Sequence, residues 1–370
     1  MKKIQIAVNR KELEKELAIA KKVIAGKHNL QIIENIVLSF MPDSLAIQST
    51  NLEHSYLGVI GKPINRKYRL PGKSQKVLVS IDRITRVIKS IPKKTTEIPL
   101  EITWNGGGLL VNGTTTIVAG GQYDDFPTLP GLPWGRSHNL LSCDKIEQVN
   151  SIPASDDKRA HIISLYVNGP AGHLVSTDGS RLYIANIPKA ADMKPFLLPK
   201  KTASILTSPQ LKNEIGNVRI TDSYAFIETD HGFMCVRIPD GEFPDYNRIM
   251  PGHDPVAIIS TPDKQDLIDI MSEAAAILNQ NYAGVVFSSD NNLIITATNP
   301  DCGEYRKDIS AEFTHDGAGF EMAFNQAFVV DACKSIQDKG LNMNIWGNEY
   351  PAAFESASGD FKALLMPMRI

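Results

Sequence analysis

The chain has 370 residues, of which 42% are hydrophobic and 22% are charged, and its formal net charge is −2. This length is too great for one compact core and predicts two or three domains, while the composition excludes a disordered or low-complexity chain. Because the net charge is close to zero, any attraction to nucleic acid must come from local clusters of cations.

The cysteines predict neither a metal site nor a disulfide framework. Cys143, Cys235, Cys302 and Cys333 lie far apart, without CxxC or Cys/His spacing, which favours a reducing cytoplasm. The N-terminal MKKIQIAVNRKELEK becomes charged after a few apolar residues, and no apolar run approaches the length of a membrane helix. Neither a signal peptide nor a membrane span is predicted.

The first third of the chain predicts a helix, a hairpin and a second helix. NRKELEKELAIAKKVIA (9–25) has a helical pattern, NIVLSFM and LAIQSTNLEHSYLGV (45–59) resemble strands, and VSIDRITRVIKSIP (79–92) is helical again. Apolar and polar residues alternate in the strand-like stretches, as expected for a sheet with one buried face. This third of the chain closes on DDFPTLP (124–130).

The same order of elements recurs twice. In the second copy the first helix, LLSCDKIEQVNS, is short, the hairpin ends in HLVSTDGSRLYIANI (173–187), the second helix is PKKTASILTSPQLKN (199–213), and the closing segment is EFPDYNRIMP (242–251). In the third copy the elements are TPDKQDLIDIMSEAAAIL (261–278), AGVVFSS, LIITATNPDCGEYRKDI (293–309), FNQAFVVDACKSIQ (324–337) and MPMRI. Thr50, Thr177 and Thr298, 127 and 121 residues apart, mark equivalent positions.

These repeats predict an α+β fold built from three tandem domains of about 120 residues, each with two helices and antiparallel sheets. Pro- and Gly-rich joints at 128–135 and 250–255 separate them. The predicted domains are residues 1–134, 135–253 and 254–370.

No catalytic residue is predicted. GKS (72–74) lacks the first glycine of a phosphate-binding loop, because Lys67 stands there. Asp178 beside Arg181 is better explained as a turn after a strand, and Asp156 with Asp157 as solvated loop charge. An enzyme, such as a hydrolase using Asp178 or Asp156, remains an alternative, and no cofactor or metal is implied.

Positive charge is concentrated on predicted helices. Arg83, Arg86 and Lys89 recur every third residue opposite an aliphatic face. Lys200 and Lys201 begin the equivalent helix of the second copy, and Lys27 follows the first helix of the chain. Each group alone fits an ordinary solvated face. Together they are consistent with a surface that holds phosphates without reading bases, since no base-reading motif accompanies them.

Four motifs resemble one family, the bacterial DNA polymerase III beta subunit or replication sliding clamp. They are TDGSRL (177–182), EFPDYNRIMP (242–251), AAIL (275–278) and MPMRI (366–370), in this order along the entire chain. The resemblance implies a non-enzymatic processivity factor: a head-to-tail homodimer of DNA-clamp-type domains that closes around double-stranded DNA without sequence specificity. It also implies a cytoplasmic, nucleoid-associated protein.

The resemblance further implies a hydrophobic pocket between the second and third domains. There the polymerase catalytic subunit, the clamp loader and other partners insert short clamp-binding peptides. By motif matching the pocket residues are Ile162, Thr177, Gly179, Ser180, Arg181, Leu182, Pro244, Arg248, Ile249, Phe328, Tyr350, Leu364, Met366, Pro367, Met368 and Arg369. Methionines suit a groove that serves several partners, because their side chains repack readily.

Two further sets of residues are carried over from the family. Lys27, Arg83, Arg86, Lys200 and Lys201 are expected to face DNA, and Ile277 with Leu278 to pack across the dimer joint. Ser180 stands where the family often has histidine, which leaves a chromosomal clamp and a phage or mobile-element version both open. A monomeric peptide-binding scaffold that has lost the ring is the remaining alternative.

Overall fold

The computed structural model describes residues 5–26, 30–61, 75–103, 107–152, 159–279, 283–290, 292–309, 312–314 and 319–369. Several residues singled out in the sequence lie outside these ranges: Lys27, Lys67, the GKS segment at 72–74, Asp156, Asp157 and Ile370. The chain forms two compact units, Met1–Cys143 with Lys201–Ile238, and Asp144–Lys200 with Pro239–Ile370. The division into domains 1–134, 135–253 and 254–370 stays a prediction.

Six α-helices occur in the described part of the chain: α1 (Arg10–Ile24), α2 (Ile81–Ser90), α3 (Cys143–Asn150), α4 (Lys200–Leu206), α5 (Lys264–Ala275) and α6 (Gln326–Ser335). None of these helices is long and apolar enough to cross a membrane. Side-chain oxygens of Asn9, Ser80, Asp263 and Asn325 accept hydrogen bonds from the first turns of α1, α2, α5 and α6. These caps explain where the four helices begin.

The predicted helix at 199–213 is too long, because α4 ends at Leu206. Pro209 follows two residues after Thr207, and proline disfavours a helical conformation at the residue before it. The remaining helices lie within their predicted ranges.

The strands, in chain order, are β1 (Gln5–Asn9), β2 (Asn35–Phe40), β3 (Ser44–Thr50), β4 (His54–Gly61), β5 (Gln75–Ser80), β6 (Glu97–Ile102), β7 (Gly108–Val111), β8 (Thr115–Val118), β9 (Ser164–Asn168), β10 (His173–Thr177), β11 (Arg181–Asn186), β12 (Phe196–Pro199), β13 (Ile215–Ile220), β14 (Tyr224–Thr229), β15 (Gly232–Arg237), β16 (Ala257–Thr261), β17 (Gly284–Asp290), β18 (Asn292–Asn299), β19 (Gly303–Ile309), β20 (Glu312–Thr314), β21 (Glu321–Asn325), β22 (Leu341–Ile345), β23 (Ala352–Ser356) and β24 (Phe361–Leu365).

The first unit contains a four-stranded sheet in the order β1-β6-β7-β8 and a seven-stranded sheet in the order β13-β14-β15-β4-β3-β2-β5. The apolar sides of α1 and α2 join both sheets in one core, which includes Leu13, Leu17, Leu38, Ile47, Val79, Ile84, Ile88, Leu100 and Leu109. Arg10 is 8% exposed and caps the end of α2, donating to the carbonyls of Ile88 (3.2 Å) and Pro92 (2.7 Å).

The second unit contains a nine-stranded sheet in the order β12-β9-β10-β11-β24-β23-β22-β16-β20 and a four-stranded sheet in the order β19-β18-β17-β21. Here Lys264, the first residue of α5, donates to the carbonyl of Ile336 at the end of α6. The first and third repeats therefore cap their second helix in the same way, with a cation from their first helix.

The repeats are visible in strand register. In each hairpin the marker threonine faces the residue that precedes a tyrosine. The pairs are Thr50 with Ser55, Thr177 with Leu182 and Thr298 with Glu304, and the tyrosines are Tyr56, Tyr183 and Tyr305.

Two strand pairings join successive repeats. In the first unit β4 pairs with β15, so that Tyr56 lies opposite Met234. In the second unit β11 pairs with β24, so that Tyr183 lies opposite Ala363. As a result the second repeat is shared: β9–β12 belong to the second unit and β13–β15 to the first.

A buried carboxyl group lies behind the first of these pairings. Glu16 of α1 is 2% exposed, and the Tyr56 hydroxyl donates to its Oε2 at 2.8 Å. Burial raises the pKa of Glu16 to about 7, against a lowering by the Tyr56 hydrogen bond. Gly58 makes room for it, since a Cβ there would lie 1.8 Å from Glu16 Oε2.

Candidate peptide-binding site

The TDGSR segment forms a tight turn between β10 and β11. Thr177 Oγ1 accepts from the Gly179 amide (3.0 Å) and donates to the Arg181 carbonyl (2.8 Å). Asp178 Oδ1 accepts from the amides of Ser180 (3.0 Å) and Arg181 (3.1 Å). Gly179 has φ +94°, which favours glycine, and a Cβ there would meet nothing within 4 Å. Asp178 therefore holds the turn, as the sequence indicated.

Arg181 is anchored on three sides. Its Nε lies 2.8 Å from Asp178 Oδ2, its Nη1 lies 2.8 Å from Asp331 Oδ2 on α6, and its Cζ lies 4.1 Å from the centre of the Phe328 ring. The side chain is only 9% exposed. Burial opposes its charge, but hydrogen bonds with Asp331 and Asp178 outweigh burial and raise the pKa of the guanidinium.

Strand β24 brings the end of the chain beside this turn. Leu364 lies opposite Leu182, and Leu365 lies opposite Arg181, in the antiparallel register of β11 and β24. Leu182 and Leu364 are buried in one apolar cluster, whose other members are Val175, Tyr246, Trp346, Ala353 and the partly buried Tyr166, Ile184, Phe243 and Met250.

Residues beyond β24 are held by backbone hydrogen bonds and do not fray. The Met366 amide donates to the Ser180 carbonyl (3.1 Å), and the Met368 amide donates to the Ala323 carbonyl just before α6 (2.7 Å). The side chains of both methionines nevertheless stay exposed, at 44% and 41%. An exposed apolar pair on a fixed backbone is a feature of a docking surface.

The closing segment of the second repeat packs on the same cluster. The Phe243 ring stacks on Tyr166 with centroids 4.7 Å apart and an interplanar angle of 2°. The Tyr246 hydroxyl lies 2.8 Å from His173 Nδ1. Pattern reading did not single out Phe243 or Tyr246 as pocket residues, although both lie in the EFPDYNRIMP motif.

The structure thus brings Thr177, Gly179, Ser180, Arg181, Leu182, Phe328, Leu364 and Met366 together. For the other predicted pocket residues, the described residues show no hydrogen bond, ion pair or ring contact that joins them to the turn. Arg248 pairs with Asp245 at 3.1 Å, and Tyr350 packs edge-on against His253. Ile249, Pro244, Pro367 and Arg369 are at least partly exposed, whereas Ile162 is buried.

Sequence reasoning missed Asp331. It lies 150 residues from its partner Arg181, in a helix that carries no family motif at that position. The one available signal is its spacing from Phe328, since residues three apart in a helix share a face.

The predicted DNA-facing residues lie in different surroundings. Arg83 and Arg86 are exposed on α2, where with Val87 and β8 they line a depression of about 330 Å³. Lys201 donates to the carbonyl of Ala25 at the end of α1, and burial lowers its pKa. Burial, and then the charge of Arg181, lowers the pKa of Lys200.

The predicted joint residues follow α5. The amides of Ile277 and Leu278 donate to the carbonyls of Ala274 (3.2 Å) and Ala275 (3.3 Å), and the Asn299 side-chain amide donates to the Ile277 carbonyl (2.6 Å). Both apolar side chains are half-buried on this fixed backbone.

Comparison with known proteins covers nearly the whole chain. Residues 4–130 match the DNA polymerase III beta subunit N-terminal domain, and residues 248–369 match its C-terminal domain. The beta sliding clamps of Pseudomonas aeruginosa and Escherichia coli K12 are each 25% identical, over 99% of this chain and all of theirs.

Solved structures agree in fold. A Pseudomonas aeruginosa sliding clamp bound to griselimycin superposes with a TM-score of 0.85 at 22% identity, covering 100% of both chains. The Bacillus subtilis DNA polymerase sliding clamp gives 0.85 at 15% identity, with the same coverage. With both terminal family models matched and the clamp fold reproduced from end to end, the chain belongs to the DNA polymerase III beta subunit family, the bacterial sliding clamps.

Proposed function

We propose that this protein is a processivity factor: two copies close head to tail around duplex DNA and hold a polymerase there through the pocket beside TDGSR. Family membership carries this proposal. The link is topological, so it keeps a bound polymerase at high effective concentration on its template without catalysis. The clamp loader and other peptide-bearing proteins are proposed partners, and the nucleoid in the cytoplasm is the proposed location.

The strand pairings within the chain support ring closure. The hairpin strand of each of the first two repeats pairs with the last strand of the next repeat, as β4 does with β15 and β11 with β24. The equivalent strand of the third repeat is β19, and the equivalent last strand of the first repeat is β8. Both are edge strands of four-stranded sheets. A second copy would satisfy both edges, and a head-to-tail interface used twice closes a ring.

The repeats also give the register of this joint. Met234 lies opposite Tyr56 and precedes Phe243 by nine residues, just as Ile117 precedes Phe126 by nine. We therefore expect Tyr305 of one copy to face Ile117 of the other. The antiparallel neighbours are then Arg306 with Thr116 and Glu304 with Val118.

Charge at the joints follows the same logic. In the second unit Arg181, at the end of the β10–β11 turn, pairs with Asp331 of α6. Arg83 and Arg86 follow the α2 cap by three and six residues, as Phe328 and Asp331 follow the α6 cap.

Arg83 and Arg86 therefore take the helix side of the joint, and the acidic turn of β18 and β19, with Asp301 and Glu304, takes the other side. We propose this role for the two arginines in place of the DNA contact expected from sequence. Lys27, Lys200 and Lys201 keep their proposed place facing DNA, where phosphate contacts carry no sequence preference. Ile277 and Leu278 are proposed to pack at the same joint.

Disulfide trapping tests the joint. In a Cys302→Ser background, which removes the exposed native thiol, Arg306→Cys combined with Thr116→Cys should cross-link two copies upon mild oxidation. The matched control, Arg306→Cys with Val118→Cys, is two residues out of register, where diagonal neighbours lie about 7–8 Å apart and their Cβ atoms exceed the usual separation in a disulfide. Equal cross-linking of both pairs, or of neither, would refute this joint.

Loading on closed circular DNA tests encirclement. A ring placed there by the clamp loader should withstand salt that removes an ordinary phosphate binder and should be lost when the circle is cut. Loss in high salt together with retention on cut DNA would contradict the proposal.

Truncation tests the pocket. Deleting residues 366–370 removes the two exposed methionines and their bonds to Ser180 and Ala323 while leaving β24 intact. Binding of a peptide from the polymerase catalytic subunit should be abolished and dimerisation kept. Leu30→Ala, which truncates an exposed apolar residue outside the pocket, is the control. Unchanged peptide affinity after truncation would refute the pocket.

A further inference from the structure

We infer that Asp331 is a positioning residue of the peptide pocket, which acts by fixing Arg181 over Phe328. This inference rests on the proposed function of the pocket. Asp331 itself lies outside the set of residues that the family motifs imply. Its carboxylate lies 2.8 Å from Arg181 Nη1 and its side chain is 41% exposed.

The two carboxylates that bind Arg181 have different tasks. Asp178 lies three residues before Arg181 and already holds the turn through two backbone amides, so it binds the arginine locally. Asp331 comes from the third repeat. Among the hydrogen bonds of the described side chains, Arg181 to Asp331 is the one that ties this turn to α6. Without it, the ring of Phe328 is the remaining side-chain contact between the turn and the helix.

The geometry of α6 lets two of its residues hold Arg181 together. Phe328 and Asp331 are three residues apart on α6 and share a face. The ring of Phe328 supports the flat side of the guanidinium at 4.1 Å, while Asp331 holds its edge. Both ring and guanidinium are predicted pocket residues from different repeats, so Asp331 sets the distance between two walls of the pocket.

The charge of Arg181 makes a second carboxylate necessary. The Arg181 side chain is 9% exposed and its charge has lost much of its hydration, so a second carboxylate compensates for that loss. If Asp331 becomes neutral, Asp178 is the remaining carboxylate bound to Arg181. Other positions of the guanidinium then satisfy its N–H donors as well as the position over the Phe328 ring does. The pocket then has to reorder before it binds, and the affinity falls.

The test uses the full-length protein and griselimycin, the molecule bound by the Pseudomonas aeruginosa clamp, as the probe in titration calorimetry. Asp331→Asn, equal in shape but neutral, should weaken binding roughly five- to thirtyfold. Asp331→Glu, which keeps the carboxylate, should stay within about threefold of the parent. The matched control is Asp240→Asn, an exposed aspartate of the same unit for which the described residues show no side-chain partner.

A double-mutant cycle separates positioning from general loosening. In an Arg181→Gln background, Asp331→Asn should have no further effect, because the residue through which it acts is gone. Dimerisation should match the parent in the Asp331 variants. Parental affinity of Asp331→Asn, or an undiminished loss in the Arg181→Gln background, overturns the inference and leaves the pocket standing. Failure of the parent protein to bind griselimycin refutes the pocket and this role with it.

Discussion

The buried carboxyl group of Glu16 predicts a stability that depends on pH. Its pKa is about 7 in the folded protein, mainly because of burial, against an ordinary value of 4.5. The charges that act on it are those of Lys15, Glu214 and Glu12, while Tyr56 donates a hydrogen bond to it. A folded pKa above the unfolded one means that the folded state binds the proton more tightly. The contribution of Glu16 to stability is therefore greatest below pH 4.5 and is lost as the pH rises through 7.

The size of the effect follows from the difference of about 2.5 pKa units, which corresponds to about 3 kcal/mol. Most of this, roughly 2.5 kcal/mol, is lost between pH 5 and pH 8. Glu16→Gln keeps the shape and the acceptor for Tyr56 but carries no charge at any pH. At pH 8 the variant should be more stable than the parent by about 2–3 kcal/mol, whereas at pH 5 the gain should be below about 1 kcal/mol.

Urea unfolding of parent and variant at pH 5, 6, 7 and 8 measures this difference directly, with tryptophan fluorescence and circular dichroism compared to detect separate transitions. Asp222→Asn, which removes an exposed carboxylate of the same unit that is not among the charges acting on Glu16, serves as the control for the loss of one negative charge. If the difference between parent and Glu16→Gln stays constant from pH 5 to pH 8, Glu16 does not titrate there and the reasoning fails.

Three other substitutions test the packing and the turn. Gly58→Ala places a Cβ 1.8 Å from Glu16 Oε2 and should lower the free energy of unfolding by about 1–3 kcal/mol in urea; an unchanged midpoint would show that Glu16 has room to move. Arg10→Gln removes the cation that caps α2 at Ile88 and should cost about 1–3 kcal/mol, with faster amide exchange at the end of α2 as the marker. Gly179→Ala meets no atom within 4 Å, so only its φ of +94° opposes it; a loss near 1 kcal/mol is expected, and a much larger one in thermal melts would point to a contact that the turn does not show.

Local patterns were enough to predict much of this fold. The repeats, the alternating hairpins and the helix starts follow from residues close together in sequence, such as Asn9 and Asn325, whose side chains cap the helices they precede. Met366 and Met368 were named as pocket residues from the family motifs, and that role stays a prediction. The backbone hydrogen bonds that fix them were not predicted, because Ser180 and Ala323 lie far away along the chain.

Two features depend on the tertiary fold and were missed in the sequence. Glu16 lies in KELEKEL, three residues after Leu13 and on the same face of α1, but the pattern does not show that packing against β4 buries its carboxyl group beside Tyr56. The pair of Arg181 and Asp331 joins different repeats. Spacing along one sequence does not show which distant charges meet when strands from separate repeats pair.

Because strands of the second repeat belong to two different sheets, this repeat is difficult to express alone or to exchange. A fragment of residues 135–253 would separate β15 from β4 and β11 from β24, which exposes the unpaired hydrogen-bonding edges of β15 and β11 to water. Such a fragment is expected to aggregate during expression. A repeat can therefore be excised, or exchanged with that of a relative, only together with the strands that pair with it on both sides.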